Sequence, residues 1–237
     1  MTSFLRDLTA DQQVSLLFVL LFGFLTLTST ALLLLSMRER PAHDDEPSGR
    51  SLRLKDYQGL VRTSWLMALV FWLAWAAGDG VATTLFALVS FLVLREFISL
   101  SPTRRGDHRS LLLAFFVVLP LQYLLVWTEH FNLFTVFIPV YVFLAIPTTG
   151  ALGNDPQHFL ARNAKLQWGI MVCVYGMSHV PALLLLDFPR YSGRSAFLVF
   201  FLVMVVQTTM LVQHIVSRHK GKAVAPAISA SFNWYGW

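Results

Sequence analysis

The chain has 237 residues, of which 56% are hydrophobic and only 13% charged, about half the share of roughly 25% found in soluble domains. So little polar surface cannot cover a water-facing globule, which excludes a soluble enzyme or binding module. The formal charge of +5 would suit nucleic acid on a soluble protein. Here the basic residues sit in short segments between apolar runs, a pattern of topology and headgroup contact that excludes a nucleic-acid partner.

A bilayer core of about 30 Å needs about 20 apolar helical residues, and the charge-poor runs predict an all-α bundle of about seven transmembrane helices. The first covers 14–37. It is too long for a signal-peptide core and has no basic flank before it and no small-x-small site after it, which predicts a retained helix. Residues 38–62 form a charged linker containing Pro and Ser. Its first half has the composition of a disordered segment, and its second half that of a short amphipathic helix on the membrane surface.

Two spans follow at 63–77 and 81–100, separated by Gly78-Asp79-Gly80, where glycine tolerates the positive φ of a tight turn. After a basic loop come spans at 110–128 and 132–150, hinged at Glu129-His130. Asn154-Asp155-Pro156 has the form of a helix start, with Asp155 as cap and Pro156 in the first turn. Spans at 166–188 and 195–216 precede a tail. The expected organisation is an N-terminal helix (1–37), a linker (38–62), a six-helix bundle (63–217) and a basic tail (218–237).

Loops 38–62, 101–109, 151–165 and the tail hold six, three, two and three Lys or Arg, against Arg6, Arg190 and Arg194 on the opposite side. That asymmetry predicts an outside N-terminus and a cytoplasmic C-terminus. The single Cys173 cannot form an internal disulfide and leaves the redox compartment open. No repeat relates the two halves, so an inverted-repeat transporter is not suggested.

Ionisable groups within spans are functional candidates. Arg95-Glu96 ends the third span, and snorkelling to headgroups is the structural alternative. His179 stands two residues before Pro181, which leaves a carbonyl free near position 177. Ser178 and His179 either line a polar pocket there or satisfy the broken backbone. Asp155 and His158 are too few for a metal site, so Asp155 is expected to cap. In the tail, Arg218, His219, Lys220 and Lys222 suit either a stop-transfer anchor on anionic lipid or a phosphate site.

Beyond that cluster lie Pro226, Ile228, Ser229, Trp234 and Gly236. With Arg218-His219-Lys220 they resemble, in gapless register, the tail motif of the CDP-diacylglycerol synthase (phosphatidate cytidylyltransferase) family, a basic G-K-H-K turn followed by P-x-I-S-P-x-K-T-W-E-G. The run Val206–Gln213 resembles the family helix V-Q-L-N-D-V-A-Q. Leu94-Arg95-Glu96-Phe97 resembles a family glutamate at a helix end, and Arg62-Thr63 the start of a span. The resemblance covers about residues 60–237.

It implies a multi-pass protein of a bacterial-type inner membrane, acting in phospholipid biosynthesis on phosphatidate and CTP, and leaves a homodimer open. It places Arg218, Lys220, Ser229 and Asn233 at phosphate and nucleotide, and it implies Mg2+. The departures are chemical. The family's helix aspartate falls on Thr209 or Met210, and the motif's lysine, threonine and glutamate on Phe232, Asn233 and Tyr235. No Asp or Glu follows Asp187, so no magnesium site is expected in that segment. The family's C-terminal signature does not occur before Trp237. Either further spans complete an enzyme, or the chain is a diverged, non-catalytic membrane subunit that binds lipid or a partner protein.

Overall fold

The computed structural model describes residues 9–38, 49–101, 104–153, 155–186 and 195–216. Every regular element among them is helical, as it must be where lipid offers the backbone no hydrogen bonds. Seven of the described helices are long and apolar enough to span a bilayer, in agreement with the predicted bundle. They are α1 (Ala10–Arg38), α2 (Gly49–Ala76), α3 (Asp79–Ser99), α4 (His108–Trp127), α5 (Phe131–Ala151), α6 (Phe159–Leu185) and α7 (Ser195–Val216).

The breaks predicted at Gly78-Asp79-Gly80 and at Glu129-His130 both occur, the second with a left-handed residue. Gly78 adopts φ 85° before α3, and Glu129 adopts φ 57° between α4 and α5. Around Glu129, His130 N donates to Leu125 O at 3.0 Å and Phe131 N to Glu129 O at 2.9 Å, which holds the left-handed backbone in place.

Two boundaries differ from the sequence reading. Residues 49–62 are not a separate surface helix; they are continuous with the second span in α2, because no proline interrupts the good helix formers between them. α6 begins at Phe159, after His158 at φ 52°, and not at Asp155-Pro156. Asp155 therefore does not cap the helix. One of its carboxylate oxygens closes a local turn by accepting from Gln157 N at 3.1 Å, and the other faces Arg162.

The chain divides into two compact units, residues 1–68 with 196–237, and Leu69–Ser195. In the first, Phe18 meets Phe200 edge-on at 4.6 Å and Phe22 stacks on Trp65 at 5.6 Å. Trp65 Nε1 donates to Ser29 Oγ at 3.0 Å, and Ser64 Oγ lies 3.2 Å from Gln207 Oε1. In lipid such interhelical bonds are worth about 0.6–2 kcal/mol each.

The second unit is built from α3 to α6 with the end of α2. Its core runs through Phe86 and Leu94 of α3, Val118 and Tyr123 of α4, Ile138 and Ile146 of α5, and Leu166, Ile170 and Val174 of α6. A smaller cluster of Val126, Phe134 and Ala182 lies toward the hinged end of the bundle. Backbone approach is close where side chains are small, since association in lipid relies on packing. A Cβ on Gly169 of α6 would stand 2.6 Å from the Phe97 ring of α3.

Candidate functional site

Among the described residues, polar groups of the second unit gather in a seam inside the bundle and in an ionic knot at one end of it. The seam follows from how α4, α5 and α6 are wound. Each contains a stretch of wide π-helical turns, at Ala114–Val118, Phe137–Val142 and Met171–Gly176. Such turns, and the prolines among them, leave carbonyls that regular helix would have paired. Side chains from neighbouring helices meet them. Pro147 has no N–H for Phe143 O, and Gln167 Nε2 of α6 donates to that oxygen at 2.9 Å. Pro139 has none for Thr135 O, and the Tyr175 hydroxyl donates there at 3.1 Å.

The same logic extends inward. Ser90 Oγ donates to Cys173 O, and the Tyr123 hydroxyl donates to Phe86 O at 3.0 Å. Gln122, fully buried, donates through Nε2 to Ser178 Oγ at 3.2 Å and to Phe134 O at 3.5 Å. Its Oε1 has no partner among the described residues.

The ionic knot ties the segment before α4 to the segment before α6. Arg162, in the first turn of α6, has only 9% of its side chain exposed. Its Nη1 donates to Asp155 Oδ2 at 2.6 Å and its Nη2 to Asp155 O at 2.9 Å. Its Nε lies 3.1 Å from Asp107 Oδ1, an ion-pair contact whose angle falls short of a hydrogen bond. The Arg162 hydrogen bond holds the Asp155 carboxyl below its ordinary range, against a smaller opposing effect of desolvation. Arg104 Nη1 donates to Gln157 Oε1 at 2.7 Å and lies 3.9 Å from Asp155. Glycine permits the close fit: a Cβ on Gly153 would stand 2.5 Å from Gly106 O.

Of the predicted site residues, His179 lies in the seam. Its Nδ1 is 2.7 Å from Tyr175 O, and its ring packs against Phe134 and Tyr175 at 4.8 and 4.6 Å. Ser178 Oγ donates to the same carbonyl at 2.8 Å, so the carbonyl they meet is that of residue 175, not 177. Arg95 and Glu96 are exposed near the end of α3. Arg218, Lys220, Pro226, Ile228, Ser229, Asn233, Trp234 and Gly236 lie outside the described residues. Gln122, Gln167, Asp107 and Arg162 were missed in the sequence. The amides are visible as isolated polar residues in apolar runs, but a search for ionisable groups passes over them.

The Mg2+ implied by the resemblance takes oxygen ligands, commonly one or two carboxylates completed by water and substrate phosphate. Among the described residues no group of three or more His, Cys, Asp or Glu side chains comes together. Asp107 and Asp155 do converge, but on the guanidinium of Arg162, whose single positive charge takes the position between them. That donor set does not fit Mg2+.

The sequence model of the Cytidylyltransferase family matches residues 59–237. Among curated proteins, the chain is similar to "Uncharacterized protein YnbB" of Escherichia coli (strain K12), 32% identical over 170 residues, which cover 71% of this chain and 55% of that protein. The chain thus spans about half the length of the curated relative it matches. No solved structure matches it.

Proposed function

The chain belongs to the cytidylyltransferase family, and on that premise we propose that it transfers a cytidylyl group from CTP to phosphatidate in a bacterial-type inner membrane. The observation that supports this reading is the coincidence of the family match with the tail motif. The match runs to Trp237 and takes in Pro226, Ile228, Ser229, Trp234 and Gly236, and seven described helices are long and apolar enough to cross a membrane, as suits a lipid substrate.

In this reaction a phosphatidate oxygen attacks the α-phosphorus of CTP. A new P–O bond forms, the bond from the α-phosphorus to the bridging oxygen breaks, and pyrophosphate leaves with that electron pair. The products are CDP-diacylglycerol and pyrophosphate. Two polyanions must meet, so fixed cations and hydrogen-bond donors are needed where charge accumulates. Arg218 and Lys220 are assigned that positive charge, Ser229 donates to a phosphate oxygen, and Asn233 donates and accepts at the nucleotide.

The second reading is a non-catalytic subunit of the same family that binds lipid or a partner protein. It is favoured by Phe232 and Tyr235 at the motif's lysine and glutamate. Binding of CTP to the protein in phosphatidate-containing bilayers separates the two. The enzyme reading expects saturable CTP binding that Lys220→Ala and Ser229→Ala each weaken. Binding of phosphatidate and CTP unchanged in both variants would remove the tail from the site.

A further inference from the structure

The ionic knot sorts charge by direction. The two segments it joins carry two carboxylates, and both turn inward onto Arg162, whose side chain is nearly buried. The cations around them are exposed, although Arg104 Nη1 also lies 3.9 Å from Asp155. Arg104 has 48% of its side chain exposed, and Arg109 and Lys165 are exposed. Lys165 stands three residues after Arg162 in α6, on the same side of the helix. Arg109 Nη1 reaches Leu152 O of the opposite segment at 3.3 Å, which holds it over the junction. A loop pair that would otherwise present mixed charge thus presents a cationic face, and it does so at the ends of α4, α5 and α6, where spans meet the headgroup layer.

We propose that this face, formed by Arg109 and Lys165 with Arg104 at its rim, binds the phosphate of an anionic phospholipid, and that Arg162 is its positioning residue, drawing the carboxylates of Asp107 and Asp155 toward itself. Arg109 and Lys165 are not committed to any carboxylate among the described residues. A guanidinium offers paired donors to phosphate oxygens, and an ammonium a compact charge. Each cation near a membrane surface contributes about 1 kcal/mol toward anionic lipid, which is about fivefold in affinity. The partner is a bilayer lipid, because the face lies at the ends of lipid-exposed helices. Its residues are other than those of the tail assigned to substrate, and its test does not depend on transfer activity.

The test uses the full chain in nanodiscs of phosphatidylcholine with a minor share of phosphatidylglycerol, a phosphodiester that is not the proposed substrate. Retained lipid is read by native mass spectrometry. Wild type is expected to retain phosphatidylglycerol preferentially. Arg109→Gln with Lys165→Gln is expected to weaken retention about fivefold per charge. Arg162→Gln, which removes no exposed cation, is expected to weaken it as well by releasing two carboxylates toward the face. Adding Asp107→Asn and Asp155→Asn to Arg162→Gln should restore retention, which loss of a merely structural residue would not produce. Equal retention of the two lipids would overturn the proposal. So would an unchanged Arg109→Gln/Lys165→Gln variant, or displacement of the lipid by CTP, which would mark a nucleotide face. If Arg162→Gln does not fold, the exposed pair alone decides.

Discussion

Arg162 sits almost out of water between Asp107 and Asp155, and a charge so placed is stable only while its partners are ionised. The sign of the pH dependence follows from Asp155. Its folded carboxyl is held below the ordinary value by the Arg162 hydrogen bond. Its contribution to stability is therefore complete above the unfolded value of about 3.9, and it is lost as pH falls through the lower folded value. Asp155→Asn should lower the thermal midpoint in detergent at pH 5–7, with the gap from wild type closing below about pH 4. A gap that grows as the pH falls would contradict the pairing. The sequence displays Asp155 and Arg162 seven residues apart but not their meeting. An Asp-Pro pair is an ordinary helix start, and the left-handed His158 that moves the start to Phe159 has only a weak signature, histidine being enriched at positive φ but seldom found there.

At the scale of the helices, spans were legible because bilayer thickness fixes the length of an apolar run. What could not be read is where each helix departs from regular winding. Pro147 and Gln167 are both plain in the sequence, but the bond from Gln167 to Phe143 O at 2.9 Å depends on how α5 and α6 face each other. Gln167→Leu should cost about 1 kcal/mol, within the range of interhelical bonds in lipid. Pro147→Ala restores a backbone donor, so in that background the same change should cost nearly nothing, a coupling a double-mutant cycle measures. Equal cost in both backgrounds would show that Gln167 does not serve the proline break. Gly153→Ala should be harsher, at about 1–3 kcal/mol, because a Cβ there meets the backbone oxygen of Gly106 at 2.5 Å and must push the two joined segments apart. An unchanged thermal midpoint would refute that contact.

For the molecule as a whole, hydropathy predicts the seven spans, and the tail residues predict the family. The family resemblance rests on short motifs that survive without the fold being known. The chemistry was less legible, because substitutions such as Phe232 and Tyr235 fall on the positions that would carry charge. Loop charge predicts an outside N-terminus and a cytoplasmic C-terminus. A reporter active only in the cytoplasm, fused after Trp237, should give signal, and activity only in the external compartment would reverse the orientation.

Cytidylyl transfer is tested most directly by following the α-phosphate of CTP. Membranes containing the protein are supplied with phosphatidate and CTP labelled at the α-phosphorus, and the lipid extract is counted. The label is expected in CDP-diacylglycerol, with one pyrophosphate released per lipid labelled and with loss of transfer in Lys220→Ala. Properly inserted protein that leaves all label in the aqueous phase, at every CTP and phosphatidate concentration supplied, would contradict the enzyme reading and leave the non-catalytic subunit in its place.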